Sequence, residues 1–130
     1  MSSAYLLDTN VLIDFLNQHP DSIFQERVLT ALESRSGISV ITTIELLGWR
    51  KHTTQTRQGA LDLLGILREY PLGRAEAQVA IQLRTRSAIH LGDAIIAATA
   101  LTHGLPLMTR NMSDFKEIDA LTLINPFEEA

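Results

Sequence analysis

The feature that most limits how this chain can fold is a set of short, largely apolar runs, each ending at residues that favour helix starts. Ala4-Tyr5-Leu6-Leu7 runs into Asp8-Thr9-Asn10, Ile38-Ser39-Val40-Ile41 into Thr42-Thr43-Ile44-Glu45, and Leu105-Pro106-Leu107-Met108 into Thr109-Arg110-Asn111. A strand with one wet face alternates apolar and polar residues, whereas these runs do not, so they read as strands covered on both sides. A fourth such run is Leu121-Thr122-Leu123-Ile124, stopped by Pro126, and Tyr70-Pro71-Leu72 adds at most a short extended piece.

Between the strands the apolar spacing turns helical, predicting helices over about 10–17, 22–33, 42–52, 56–69, 75–85 and 94–101, with a short turn near Asp114. Thr42 and Glu45 stand at the spacing of a capping box, and Gly104 is placed to cap the helix before it. Leu61, Leu64 and Leu67 recur at a spacing suited to burial or to a partner's helix. Strands alternating with helices define an α/β fold, a mostly parallel sheet with helices on both faces. At 130 residues the chain is expected to form one domain spanning 1–130.

Composition removes several chemistries. With no cysteine there are no disulfides, thiolate zinc sites or cysteine nucleophiles. The run Ala94 to Ala98 falls far short of the roughly 18 apolar residues needed to cross a bilayer, and Met1-Ser2-Ser3 lacks a basic leader, so a cytoplasmic location without membrane contact is expected. A net charge of −4 opposes broad attraction to nucleic acid, although acids that hold a metal enter that count while the bound ion neutralises them.

Parallel strands point one way, so the residues that follow them gather at one edge, where open α/β sheets bind ligands. Asp8, Glu45, Asp93 and Asp114 all stand at strand exits or helix starts. Two readings follow. All four are helix caps, each gaining about 0.3–1 kcal/mol from the helix dipole. Alternatively they share a cleft, where two carboxylates 4 Å apart repel by about 4 kcal/mol at an effective dielectric near 20, and protons or a divalent cation resolve the conflict. An all-oxygen donor set favours Mg²⁺ or Mn²⁺ over zinc. His19, His52, His90 and His103 are scattered, only His90 lying beside one of the acids. A carboxylate-held metal suits attack of an activated water on a phosphodiester, which needs no serine or thiol.

The segments Leu7-Asp8-Thr9-Asn10-Val11-Leu12-Ile13, Thr43-Ile44-Glu45-Leu46, Asp93-Ala94-Ile95-Ile96-Ala97-Ala98-Thr99-Ala100 and Leu107-Met108-Thr109-Arg110-Asn111-Met112-Ser113-Asp114-Phe115 resemble the four acidic motifs of PIN-domain ribonucleases, in particular VapC-type toxins. The resemblance covers nearly the whole chain, with the motifs in order. It implies a three-layer PIN fold, dependence on Mg²⁺ or Mn²⁺, and endonucleolytic cleavage of RNA. It assigns Asp8, Glu45, Asp93 and Asp114 as metal ligands or water activators, with Thr109 at a polar position beside them. Asn10 and Asn111 are supporting residues or turn formers, and Arg110, next to Thr109, is the best candidate for a substrate phosphate. Arg50, Lys51, Arg57, Arg84 and Arg86 are weaker ones.

The same resemblance implies a homodimer and a cognate antitoxin that threads a segment into the acidic cleft, where an Arg or Lys would take the cation's electrostatic place. Arg86-Ser87-Ala88-Ile89-His90-Leu91-Gly92 departs from a Gly-x-Pro-like stretch found in many relatives, so the shape of the cleft's rim does not carry over. Trp49 reads as core or interface, and few aromatics argue against an extended base-stacking platform. A haloacid-dehalogenase-like phosphatase would want an acid where Asn10 stands, and a receiver-like phosphoacceptor lacks its acidic pair and late lysine. A catalytically inert RNA- or protein-binding scaffold stays open as the alternative, although all four acids are present.

Overall fold

The computed structural model describes residues 4–127, so the Met1-Ser2-Ser3 start lies outside the described residues. Five strands, β1 (Leu6–Leu7), β2 (Gly37–Ser39), β3 (Arg68–Tyr70), β4 (Leu107–Met108) and β5 (Leu123–Ile124), form one sheet in the order β3-β2-β1-β4-β5. Every pairing is parallel. The connecting helices are α1 (Thr9–Leu16), α2 (Ser22–Glu33), α3 (Val40–Leu47), α4 (Thr54–Ile66), α5 (Arg74–Arg86) and α6 (Leu91–His103).

Strand periodicity divides the core into two layers. Leu7 and Met108 join Val11, Leu12, Phe24, Val28, Leu46 and Leu63 from α1 to α4, while their neighbours Leu6 and Leu107 point the other way, onto Ile96, Ala97 and Ala100 of α6. Both members of each pair are buried, which explains why these strands carry no polar alternation. The small residues of α6 let α5 pack close, with Ala80 against Ala94 and Ala98. At Gly37 a side chain would sit 2.5 Å from the Tyr70 ring and 2.7 Å from the Arg68 carbonyl oxygen, so β2 and β3 approach only because that residue is glycine. Gly104 ends α6 with φ of 65°, as its capping position predicts.

From β1 the chain winds outward through β2 and β3, then returns to place β4 on the opposite side of β1. The boundary between β1 and β4 is therefore the topological switch point, the crevice where open α/β sheets bind ligands.

Four local expectations change. α3 begins at Val40, because Ser39 Oγ accepts from the Ile41 N–H; Thr42 is wholly buried and caps nothing. It ends at Leu47, and His52 instead folds back, its ring bonding the Leu46 carbonyl and the Thr56 hydroxyl. α4 stops at Ile66 so that Arg68 N can donate to Ser36 O, which puts the edge strand before Pro71. α6 starts at Leu91, ahead of Asp93. Among the helical leucines, Leu67 is buried and Leu64 packs on the core, but Leu61 is 48% exposed. Among the described residues, no helix is long and apolar enough to cross a membrane.

Candidate active site

Asp8 follows β1 directly and is 5% exposed. Its Oδ1 accepts from the Thr9 N–H at 2.8 Å and its Oδ2 from the Thr109 hydroxyl at 2.8 Å, so the residues ending β1 and β4 meet across the switch point. Thr109 is fully buried, and its oxygen accepts from the Asn111 N–H at 3.1 Å, which shapes the turn leading to Asp114. Asn111 thus contributes through its backbone, and Asn10 stands exposed on α1.

Glu45 reaches the same place from α3. Its Oε1 lies 2.6 Å from Thr9 Oγ1, which is 3.0 Å from Thr42 Oγ1. A threonine hydroxyl has one proton and a carboxylate can only accept, so Thr9 donates to Glu45 and Thr42 serves as donor to Thr9. Asp93 lies in the first turn of α6, beside Gly92, where a Cβ would stand 3.5 Å from Glu45 Oε2. Asp114 closes the 3₁₀ turn after β4.

Asp8 feels the charges of Asp93 and Glu45, and Asp93 those of Asp114 and Glu45. Burial is the main cause that lifts the Asp8 carboxyl from 3.8 to about 6; the hydrogen bonds from Thr109 and Thr9 oppose the shift, and the charges of Asp93 and Glu45 add to it. Asp93 is also raised, first by burial, then by Asp114; His90 opposes this, and Glu45 reinforces it. The pure capping account fails at Glu45, which sits beyond the first turn of α3. Asp8, by contrast, caps α1 and belongs to the acidic group.

Arg110, next to Thr109, is exposed at the end of β4. Its guanidinium lies 3.4 Å from Asp14 on α1 and over the Phe127 ring, because an exposed arginine finds a carboxylate and an aromatic face there. Arg84 is likewise occupied, donating to the Ile89 carbonyl. Trp49 is half-buried, edge-on to His52, and His103 pairs with buried Glu76 at 2.7 Å.

Thr9, Thr42 and Gly92 escaped the sequence reading. Thr9 adjoins Asp8 and Gly92 adjoins Asp93, a signal that was present, but Thr42 reads as a cap until the α1–α3 packing reveals what it faces.

The PIN domain family model matches residues 5–121. The chain is 30% identical over 129 residues to Ribonuclease VapC2 of Rickettsia felis, covering 93% of this chain and 96% of that protein. It is 32% identical over 139 residues to VapC ribonuclease Y4jK of Sinorhizobium fredii, covering 96% and 99%. Among solved structures, a toxin–antitoxin complex from Klebsiella pneumoniae superposes with a TM-score of 0.76 at 32% identity, covering 96% of this chain and 99% of that one. VapBC2 from Rickettsia felis, bound to a promoter DNA fragment, gives 0.78 at 28% identity, covering 94% and 98%. With the acid-lined switch point of a parallel sheet and a family match along nearly its whole length, the chain belongs to the PIN-domain family, among the VapC-type ribonucleases.

Proposed function

We propose that this protein is an endoribonuclease that hydrolyses RNA phosphodiesters with Mg²⁺ or Mn²⁺, and that it is the toxin partner of a cognate antitoxin. One observation supports the reading: the carboxylate of Asp8, buried at the end of β1, lies within reach of the charges of Asp93 and Glu45, and Asp93 within reach of Asp114. Asp8, Glu45, Asp93 and Asp114 are the residues that would hold the ion. The oxygen-only donor set fits a hard divalent cation, and the hydroxyls fixing Asp8 and Glu45 are the outer contacts that keep metal ligands oriented. Among the described residues no three His, Asp or Glu side chains converge tightly enough to grip one ion alone. Such a site suits an ion that retains several waters, the habit of Mg²⁺.

When bound, the ion supplies an activated water and offsets charge building on the phosphate. The chain's own part is orientation. Thr109 and the Thr9 N–H fix both oxygens of Asp8, while the Thr9 hydroxyl fixes Glu45.

The Klebsiella pneumoniae relative was solved as a toxin–antitoxin complex, which supports an antitoxin partner here. A cationic antitoxin side chain among the acids would inhibit by occupying the cation's electrostatic position. A homodimer accompanies this proposal.

Purified protein incubated with single-stranded RNA should cleave it only when Mg²⁺ or Mn²⁺ is added. Asp8→Asn should lose more than the roughly 10–100-fold that removal of an outer-shell partner costs. Metal-independent cleavage, or none under any condition, would overturn the assignment.

A further inference from the structure

Beside Asp93 and Asp114 the surface opens into a cavity of about 240 Å³, also lined by Ser87, His90, Ser113 and Lys116. Ala88, Ile89, Glu117 and Ile118 complete its walls, and both isoleucines pack against the core layer that contains Ile96 and Phe115. The rim is tied down: Arg84 donates to the Ile89 carbonyl at 2.9 Å, Ser87 Oγ to the Leu83 carbonyl at 3.3 Å, and the Ile118 N–H to the Phe115 carbonyl at 3.1 Å. Anchored apolar walls, hydroxyls on the rim and two basic side chains thus adjoin two of the acids.

This combination has a chemical reading. The volume lies below the roughly 300–1,000 Å³ of pockets for drug-sized ligands and suits a single nucleobase, its phosphate lying at the rim. Arg110 and Arg84 bond elsewhere in this structure, so a phosphate at this end of the cleft, beside Asp93, Asp114 and Glu117, depends on Lys116.

We propose that this cavity is the subsite for one nucleotide next to the scissile phosphate, with its base against Ile89 and Ile118 beside Ser87, Ser113 and His90 and a phosphate met by Lys116, and that it sets this protein's sequence preference. The proposal rests on the ribonuclease reading. Phosphate contacts fix register and carry no sequence information, so Lys116 governs affinity, whereas Ser87, Ser113 and His90 discriminate the base.

Ribonucleoside 5′-monophosphates contain no phosphodiester to cut, so each can be titrated into Mg²⁺-saturated protein and followed by amide NMR. Resonances of residues 87–90 and 113–118 should shift beyond the effect of Mg²⁺ alone, with one base preferred. On short RNAs, Lys116→Ala should raise KM by roughly tenfold, more than it lowers kcat, and reduce the salt slope of binding by about 1. Lys116→Arg should recover most of that loss, and His90→Ala should change the nucleotide found at cleavage ends. Both residues are exposed, and unchanged melting curves would establish that the variants fold. Shifts confined to other residues, or unaltered KM and cleavage-end sequences in both alanine variants, would overturn the subsite. Binding at these residues by a protein that cuts no RNA would instead remove the ribonuclease reading and leave the subsite standing.

Discussion

Replacing Asp8 with asparagine should make the metal-free protein more stable at neutral pH while removing its activity. The unfolded carboxyl titrates near 3.8 and the folded one at about 6, so the native state holds the proton more tightly. That preference favours folding fully below 3.8, and it is lost as pH rises through about 6. Above that range the ionised, buried Asp8 lowers stability by about 3 kcal/mol relative to its protonated form. Asparagine removes the charge but cannot accept from both Thr9 and Thr109, which returns about 1 kcal/mol. The net gain of about 2 kcal/mol corresponds to about 7 °C in Tm for 130 residues. Thermal melts of both proteins in chelator, from pH 4 to pH 8, would measure it. The advantage should vanish near pH 4, and Mn²⁺ should stabilise the wild type more than the variant. An asparagine variant no more stable than wild type at pH 7.5 would show that burial and the neighbouring acids do not penalise ionised Asp8, and the physical case for a cation would fall.

Thr9→Val should lower kcat by roughly 10–100-fold and weaken Mn²⁺ binding measured by calorimetry, while Thr9→Ser should restore most of both. Glu76 is held below its ordinary range by hydrogen bonds from backbone N–H groups and from His103, so its ionised form stabilises the fold above about 4.5 and that help disappears as pH falls further. Glu76→Gln should therefore lower Tm at pH 7, with the gap closing under acid in the same melts. Gly37→Ala should destabilise by about 1–3 kcal/mol, read by chemical denaturation, because its methyl meets the Tyr70 ring and the Arg68 carbonyl.

The sequence by itself determined the parallel α/β class, because the missing polar alternation at Leu6-Leu7 and Leu107-Met108 directly reflects burial on both faces. It also singled out the four acids, whose positions after apolar runs are a local pattern. Helix boundaries were less legible. Ser39 rather than Thr42 starts α3, since capping depends on which hydroxyl is free of tertiary bonds, and Thr42 is taken by Thr9. Arg110 shows the same limit, as its exposed side chain is directed by Asp14 and Phe127, distant in sequence.

Only the tertiary structure decided how far each acid is desolvated and which hydroxyl holds it. Those properties depend on contacts such as Thr109 with Asp8, spanning 101 positions, and Thr9 with Glu45, spanning 36. Local spacing encodes strands, helices and their ends, but a carboxylate's affinity for a proton or a metal is set by the charges and donors that folding brings from elsewhere in the chain.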